Sequence, residues 1–297
     1  MSGKKLNIKR VRDAIIWFSL VAGIVTLLFF SINRKSNAEV KTLEINIEGI
    51  EGGEKLISEK EVKQILMTEA GKPITKSNIK TLNLRKLEAK LNKDKRIERA
   101  DLYFDSKDRL NVRVIQKKPV MRVIEEAGAG YYLDGNGKQV PVIQGNAVRV
   151  PIVTGLKDGF DPKFLTSEKP SKLKDIFTIM TYVKNDVFLS SLIEQVHVEN
   201  DSIGDIVLIP KIGREKVIFG GIQDMEYKFE KLKIFYRDGL PRLGWNRYKS
   251  LNLKYGNQVG GVLSNPNVPK IKMPEVKRDT LAEVVNTDIN KQESIHH

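Results

Sequence analysis

The 297-residue sequence contains no cysteine, which excludes disulfide frameworks, thiolate metal sites and thiol nucleophiles together. Histidine is nearly as scarce. Of three, His197 sits in an apolar, strand-like run and His296 and His297 end the chain, so a histidine-based catalytic triad or metal cluster lacks its raw material. Nucleotide-binding glycine loops are missing too. The stretch YYLDGNGKQVP (131–141) brings Asp134 and Asn136 together, but a calcium loop starting there would meet Lys138 at the next ligand position, Gln139 where glycine is needed and Gly145 at the closing glutamate. It reads instead as a hairpin turn, with Asp134–Gly137 supplying positive-φ residues between two strands. No metal site, cofactor or catalytic residue is expected.

Charge is present in excess, at +14 net, yet it is dispersed. Lys4, Lys5, Lys9, Arg10 and Arg12 crowd the first 13 residues, and the tail from Ser264 is balanced. No basic block is interleaved with stacking aromatics, so the charge argues for an anionic envelope as neighbour rather than for nucleic acid.

Residues 14–32, AIIWFSLVAGIVTLLFFSI, are free of charge. As a helix they would span about 28 Å, close to the hydrocarbon core of a bilayer, and no polar face interrupts them as in a core helix. The run is too long for a signal-peptide core, and the small residues Ser36 and Ala38 lie beyond the charged pair Arg34–Lys35, so a retained anchor is expected. The basic bias before it places residues 1–13 in the cytoplasm and everything after residue 33 outside.

With 40% hydrophobic residues, the remainder can build one or two real cores. Residues 33–40 read as a linker. Over 41–116 the order is β-α-α-β-β. Leu43, Ile45 and Ile47 alternate with charges in a strand, and Ser58 with Glu61 makes a capping box for a helix burying Val62, Ile65 and Leu66 before Gly71. A second helix runs over 79–91, and strands 97–104 and 109–116 flank a turn. Over 117–263 short strands dominate, at 131–142, 151–155, 193–198, 205–210 and 216–220, interrupted by two amphipathic helices at 171–183 and 224–238. The run YKSLNLKYGNQVGGVL (248–263) alternates, with Leu251, Leu253 and Tyr255 on one side. Residues 264–297 lack a sustained apolar period and read as a disordered tail. The fold class is therefore α+β, with a single transmembrane helix ahead of a small α+β domain and a mixed β domain carrying two helices.

Taken in order, the basic arm, the anchor, the β-α-α-β-β domain, the junction QKKPVMRV (116–123), the hairpin YYLDGNGKQVP, PIVTG (151–155) and LNLKYGNQV (251–259) resemble the FtsQ/DivIB family of bacterial cell-division proteins over residues 4–263. Asn252 and Lys254 depart from the acidic and arginine positions usual in the family's last strand, and Leu263 stands where some members carry an aromatic. The resemblance implies a POTRA domain at 41–116 and a non-catalytic scaffold at the division septum. It also implies an inner-membrane location with the bulk of the chain outside the cytoplasm, and binding of the coiled-coil division proteins FtsB and FtsL. Contact with FtsB falls on the end of the β domain, at Lys254, Tyr255, Asn257, Gln258, Val259, Gly260, Gly261 and Leu263, with Lys254 offering its charge to an acidic partner. A last strand has one neighbour, and its free backbone groups can take up a partner strand. The POTRA strand carrying Leu43, Ile45 and Ile47 is a second candidate edge. Two other classes stay open on the residues alone. One is a wall hydrolase with a carboxylate pair assembled from scattered Asp and Glu. The other is an outer-membrane assembly protein, for which the array of ten-residue barrel strands is missing after residue 142.

Overall fold

The computed structural model describes residues 16–27, 38–50, 52–126, 128, 130–143, 145–200 and 204–265. Residues 16–27, inside the expected anchor, form helix α1, with Trp17, Phe18 and Leu27 each more than two-thirds exposed. Among the described residues no helix is long and apolar enough to cross a membrane. The ends of the expected anchor, the basic arm and the tail beyond residue 265 lie outside them. The chain divides between Gln116 and Lys117 into two compact units.

The first unit runs β1 (Thr42–Glu48), α2 (Glu59–Ala70), a 3-10 turn (Ile79–Thr81), α3 (Leu84–Leu91), β2 (Ile97–Phe104) and β3 (Arg109–Gln116). Its three-stranded sheet has the order β1-β3-β2, with β1 parallel and β2 antiparallel to β3. The capping box forms: Ser58 Oγ accepts from the Glu61 amide, and the Glu61 carboxylate accepts from the Ser58 amide at 2.8 Å. Gly71, at φ 67°, ends α2 in the left-handed conformation that glycine adopts without penalty. Val62 and Leu66 of α2 and Leu87 and Leu91 of α3 share one core with Leu110 and Val114 of β3, while Ile65 is only half-buried. Each fully buried aliphatic side chain contributes ~1.5–3 kcal/mol, enough to hold a small three-stranded layer under two helices.

Two expectations change here. The helix expected over 79–91 is broken at Leu82–Asn83, because the Asn83 carboxamide accepts from the Lys86 amide at 3.0 Å and starts α3 as its cap. Residues 38–40, assigned to the linker, belong to the unit: Val40 is buried, donates to the Ser77 carbonyl and accepts from the Lys76 amide.

The second unit holds one nine-stranded sheet in the order β12-β11-β10-β9-β8-β7-β4-β5-β6. Its strands are β4 (Pro119–Ile124), β5 (Gly130–Asp134), β6 (Gln139–Pro141), β7 (Ile152–Thr154), β8 (Ile193–Val198), β9 (Ile206–Pro210), β10 (Lys216–Gly220), β11 (Tyr248–Asn252) and β12 (Gly260–Leu263). Helices α4 (Lys172–Lys184) and α5 (Val187–Leu192) precede β8, and α6 (Met225–Ile234), a wide turn (Phe235–Gly239) and α7 (Leu240–Leu243) precede β11. Leu173, Ile176, Phe177 and Met180 of α4 join Phe229, Leu232 and Phe235 in the core against the sheet, with Met225 packed at its margin.

The two expected helices are thus two helical regions comprising α4–α5 and α6–α7. Gly239 and Pro241 do not stop the second: Pro241 lies in the first turn of α7, where a missing N–H goes unnoticed, and Gly244 at φ 101° ends the run. Strand β4 was hidden in the junction sequence, and it pairs with both β5 and β7. In the 134–137 turn Gly137 alone has positive φ, at 72°. The turn is otherwise held by the Asp134 carboxylate, which accepts from the Asn136 and Lys138 amides, each at 2.9 Å, and pairs with Lys117 at 3.2 Å. His197 Nδ1 lies 2.8 Å from Thr154 Oγ1, a structural contact between adjacent strands.

Candidate functional site

The run 248–263 does not continue as one strand. Its alternation holds through Leu251 and Leu253, both fully buried, and then fails at Tyr255, whose side chain is 55% exposed. Residues 253–259 form a turn, and the chain returns as β12, antiparallel to β11 with Leu251 opposite Gly261 and Asn252 opposite Gly260. Strand β12 ends the sheet, so among the described residues one flank of its backbone has no strand beside it. The expected surface therefore splits: Lys254, Tyr255, Asn257, Gln258 and Val259 lie in the turn, and Gly260, Gly261 and Leu263 in the terminal strand.

Within it the side chains divide by direction. Val259 and Leu263 pack on the core, whereas Val262, which was not among the expected contacts, is 59% exposed. Gly261 lies over the buried ring of Tyr248: a Cβ there would come within 2.5 Å of ring atoms Cδ1 and Cε1. Glycine at 261 therefore sets the closeness of β12 to the sheet, a packing role more than a concession to a partner's backbone. Lys254 does not hold out a free charge, since its ammonium pairs with Asp205 at 2.7 Å and its stem crosses Gly220.

What holds the turn is a residue that sequence reasoning passed over. Lys231 of α6 is 1% exposed, and its Nζ donates to the carbonyls of Leu253 (3.1 Å), Gly256 (3.0 Å), Gln258 (3.5 Å) and Tyr255. Burial pushes its pKa down to about 8, with Lys228 adding to the push, which still leaves the ammonium as the main form at neutral pH. Tyr227, one turn earlier on α6, donates from its hydroxyl to Asn257 Oδ1 at 3.4 Å. Sequence offered one signal, a lysine inside an apolar helical stripe.

Strand β1 is an edge of the first sheet, paired among the described residues with β3 alone. Leu43 and Ile45 are half-buried and Ile47 is buried, all against the core, so what this edge presents outward is backbone. Glu44 and Glu48 are tied to Arg109 and Arg113 of β3, and Lys41 to Asp108 at 3.0 Å. Among the described residues no group of three His, Asp or Glu side chains is arranged to hold a metal ion.

Comparison with known families bears on both units. The family model described as "FtsQ/DivIB, C-terminal related" matches residues 118–261, and the POTRA-like domain model matches residues 39–115. No individual curated protein matches the chain.

Proposed function

The chain belongs to the FtsQ/DivIB family, a division-related scaffold type with a POTRA-like domain, and from that premise we propose how it works. It is a non-catalytic, single-pass membrane protein of the division site, with a short cytoplasmic arm and both units outside. It captures FtsB, and with it FtsL, by adding a partner strand to β12. The observation that carries this reading is the position of β12 as the terminal strand of a nine-stranded sheet, where backbone donors and acceptors can be shared with an incoming strand. The exposed Val262 and Tyr255 then give such a strand side-chain contacts. The uncharged stretch 14–32, twelve residues of which are helical with exposed apolar side chains, supports the anchor. The POTRA edge β1 is a second, weaker docking candidate, because its face charges are already paired.

The test is co-purification from native membranes. Wild-type chain should bring down FtsB and FtsL. Val262→Asp, which sets a charge on the outward face of the edge without touching the core, should lose them. Undiminished capture by a folded Val262→Asp protein would refute the assignment of this edge.

A further inference from the structure

The β11–β12 turn is built around a cation. An ammonium has three N–H donors and no acceptor, and the Nζ of Lys231 shares them among four main-chain carbonyls of residues 253–258. Among the described residues no carboxylate pairs with it, although it is almost completely buried. A buried charge without a counter-ion is expensive unless dipoles replace its hydration. Here the backbone of the turn supplies those dipoles, and it can do so only while its carbonyls converge on one point. The turn and the charge therefore depend on each other: opening the turn strands an ammonium, and removing the ammonium leaves converging carbonyls that repel.

Strand pairing reaches only the start of the turn, where the Leu253 amide donates to the Ile218 carbonyl of β10 at 2.9 Å and the Lys254 amide to Asn252 Oδ1 at 2.9 Å; among the described residues, 254–259 form no ladder with a neighbour. Tyr227 adds its hydroxyl to Asn257, and its ring lies 5.1 Å from Nζ, so α6 grips the turn with two side chains one helical turn apart. The far side of the turn is where Tyr255 is exposed and where β12 begins. The conformation set at Lys231 thus decides how the chain comes back beside β11.

We infer that Lys231 is a positioning residue that fixes the β11–β12 turn and so holds the terminal strand ready for a partner strand. The partner half of this statement rests on the function proposed above; the turn half does not. The experiment uses the full-length chain in detergent and compares wild type with Lys231→Met, Lys231→Arg and Lys231→Ala. Amide hydrogen exchange over 253–263 is the deciding measurement. Lys231→Met should speed exchange there by about tenfold or more, the change expected when several charge-assisted bonds are lost, and leave β8–β10 and the first unit unchanged. Lys231→Arg should also speed it, because a planar fork cannot serve four carbonyls that converge on one point. Methylammonium added to Lys231→Ala should slow the exchange again while sodium does not, a response that loss of packing would not produce. Capture of FtsB should fall in step. Unchanged exchange over 253–263 in Lys231→Met overturns the inference; if that variant does not fold, failure of methylammonium to slow exchange in Lys231→Ala does so. Raised exchange with undiminished capture overturns its partner half if Val262→Asp abolishes capture, and overturns the proposed function instead if Val262→Asp captures normally.

Discussion

Substituting Gly261 by alanine tests the geometry of the terminal strand with a single methyl group. The φ of Gly261 is not in the left-handed region, so alanine meets no backbone penalty and the obstacle is space alone. The new Cβ would stand 2.5 Å from two carbons of the Tyr248 ring, about 1 Å inside ordinary contact. Something must move. Tyr248 is 6% exposed and packs edge-on against Phe235 at 5.7 Å between ring centres, whereas β12 has one neighbouring strand among the described residues. The strand should therefore lift, at a cost of ~1–3 kcal/mol, the range for overpacking a filled site. At 1.4 kcal/mol per decade this raises the open population of β12 by roughly 5- to 140-fold. Hydrogen exchange of the 260–263 amides reads it directly, and FtsB capture reads its consequence. Combining Gly261→Ala with Tyr248→Val removes the ring and should return part of the loss, a coupling of ~1–2 kcal/mol in a double-mutant cycle. Tyr248→Phe should not rescue, because the obstructing atoms are ring carbons and not the hydroxyl. Unchanged exchange in Gly261→Ala, or rescue by Phe as good as by Val, would show the steric argument to be mistaken.

Two further outcomes are expected. In the first unit Arg96, 6% exposed, donates to Asp94, Glu61 and the Leu56 carbonyl. Arg96→Met should cost ~2–3 kcal/mol, below the full penalty for breaking a buried pair because Glu61 is partly solvated, and should lower the melting point of that unit by roughly 10 °C or more; a shift within 2–3 °C, on the order of 0.5 kcal/mol, would contradict it. Burial raises the Glu61 pKa, but hydrogen bonds from Arg96 and Ser58 outweigh it and hold the group at about 2 instead of 4.5. Its contribution is therefore complete above about pH 4.5 and is lost as pH falls toward 2, and Arg96→Met should flatten that part of the stability profile. Topology gives the second: protease added to intact spheroplasts should digest the chain beyond residue 33, and protection of that part would reverse the orientation read from the basic arm.

The first unit was legible almost residue by residue, because its signals are local. Ser58 and Glu61 cap a helix three residues apart, and Leu110, Val112 and Val114 alternate within one strand. Hydrophobic period and capping chemistry act over a few residues, and neither needs a distant partner to be read. The break at Asn83 and the enlistment of Val40 were hidden, since each depends on which hydrogen bond wins in three dimensions. The second unit was legible in its strands and helical stripes but not in its order. Nothing in PVMRVI says that β4 sits between β5 and β7, and sheet order is settled by long-range pairing whose entropy cost no local motif records. At the terminal edge, the family resemblance, with the position of a last strand before the tail, marked 254–263 as the expected partner surface. Tertiary structure decided that it is a turn and a strand instead of one strand, that Val262 and not Val259 or Leu263 faces out, and that Lys254 is already paired with Asp205. It also decided that a lysine more than twenty residues earlier holds the turn together, because four carbonyls converge on its ammonium only once α6 has packed beneath β11.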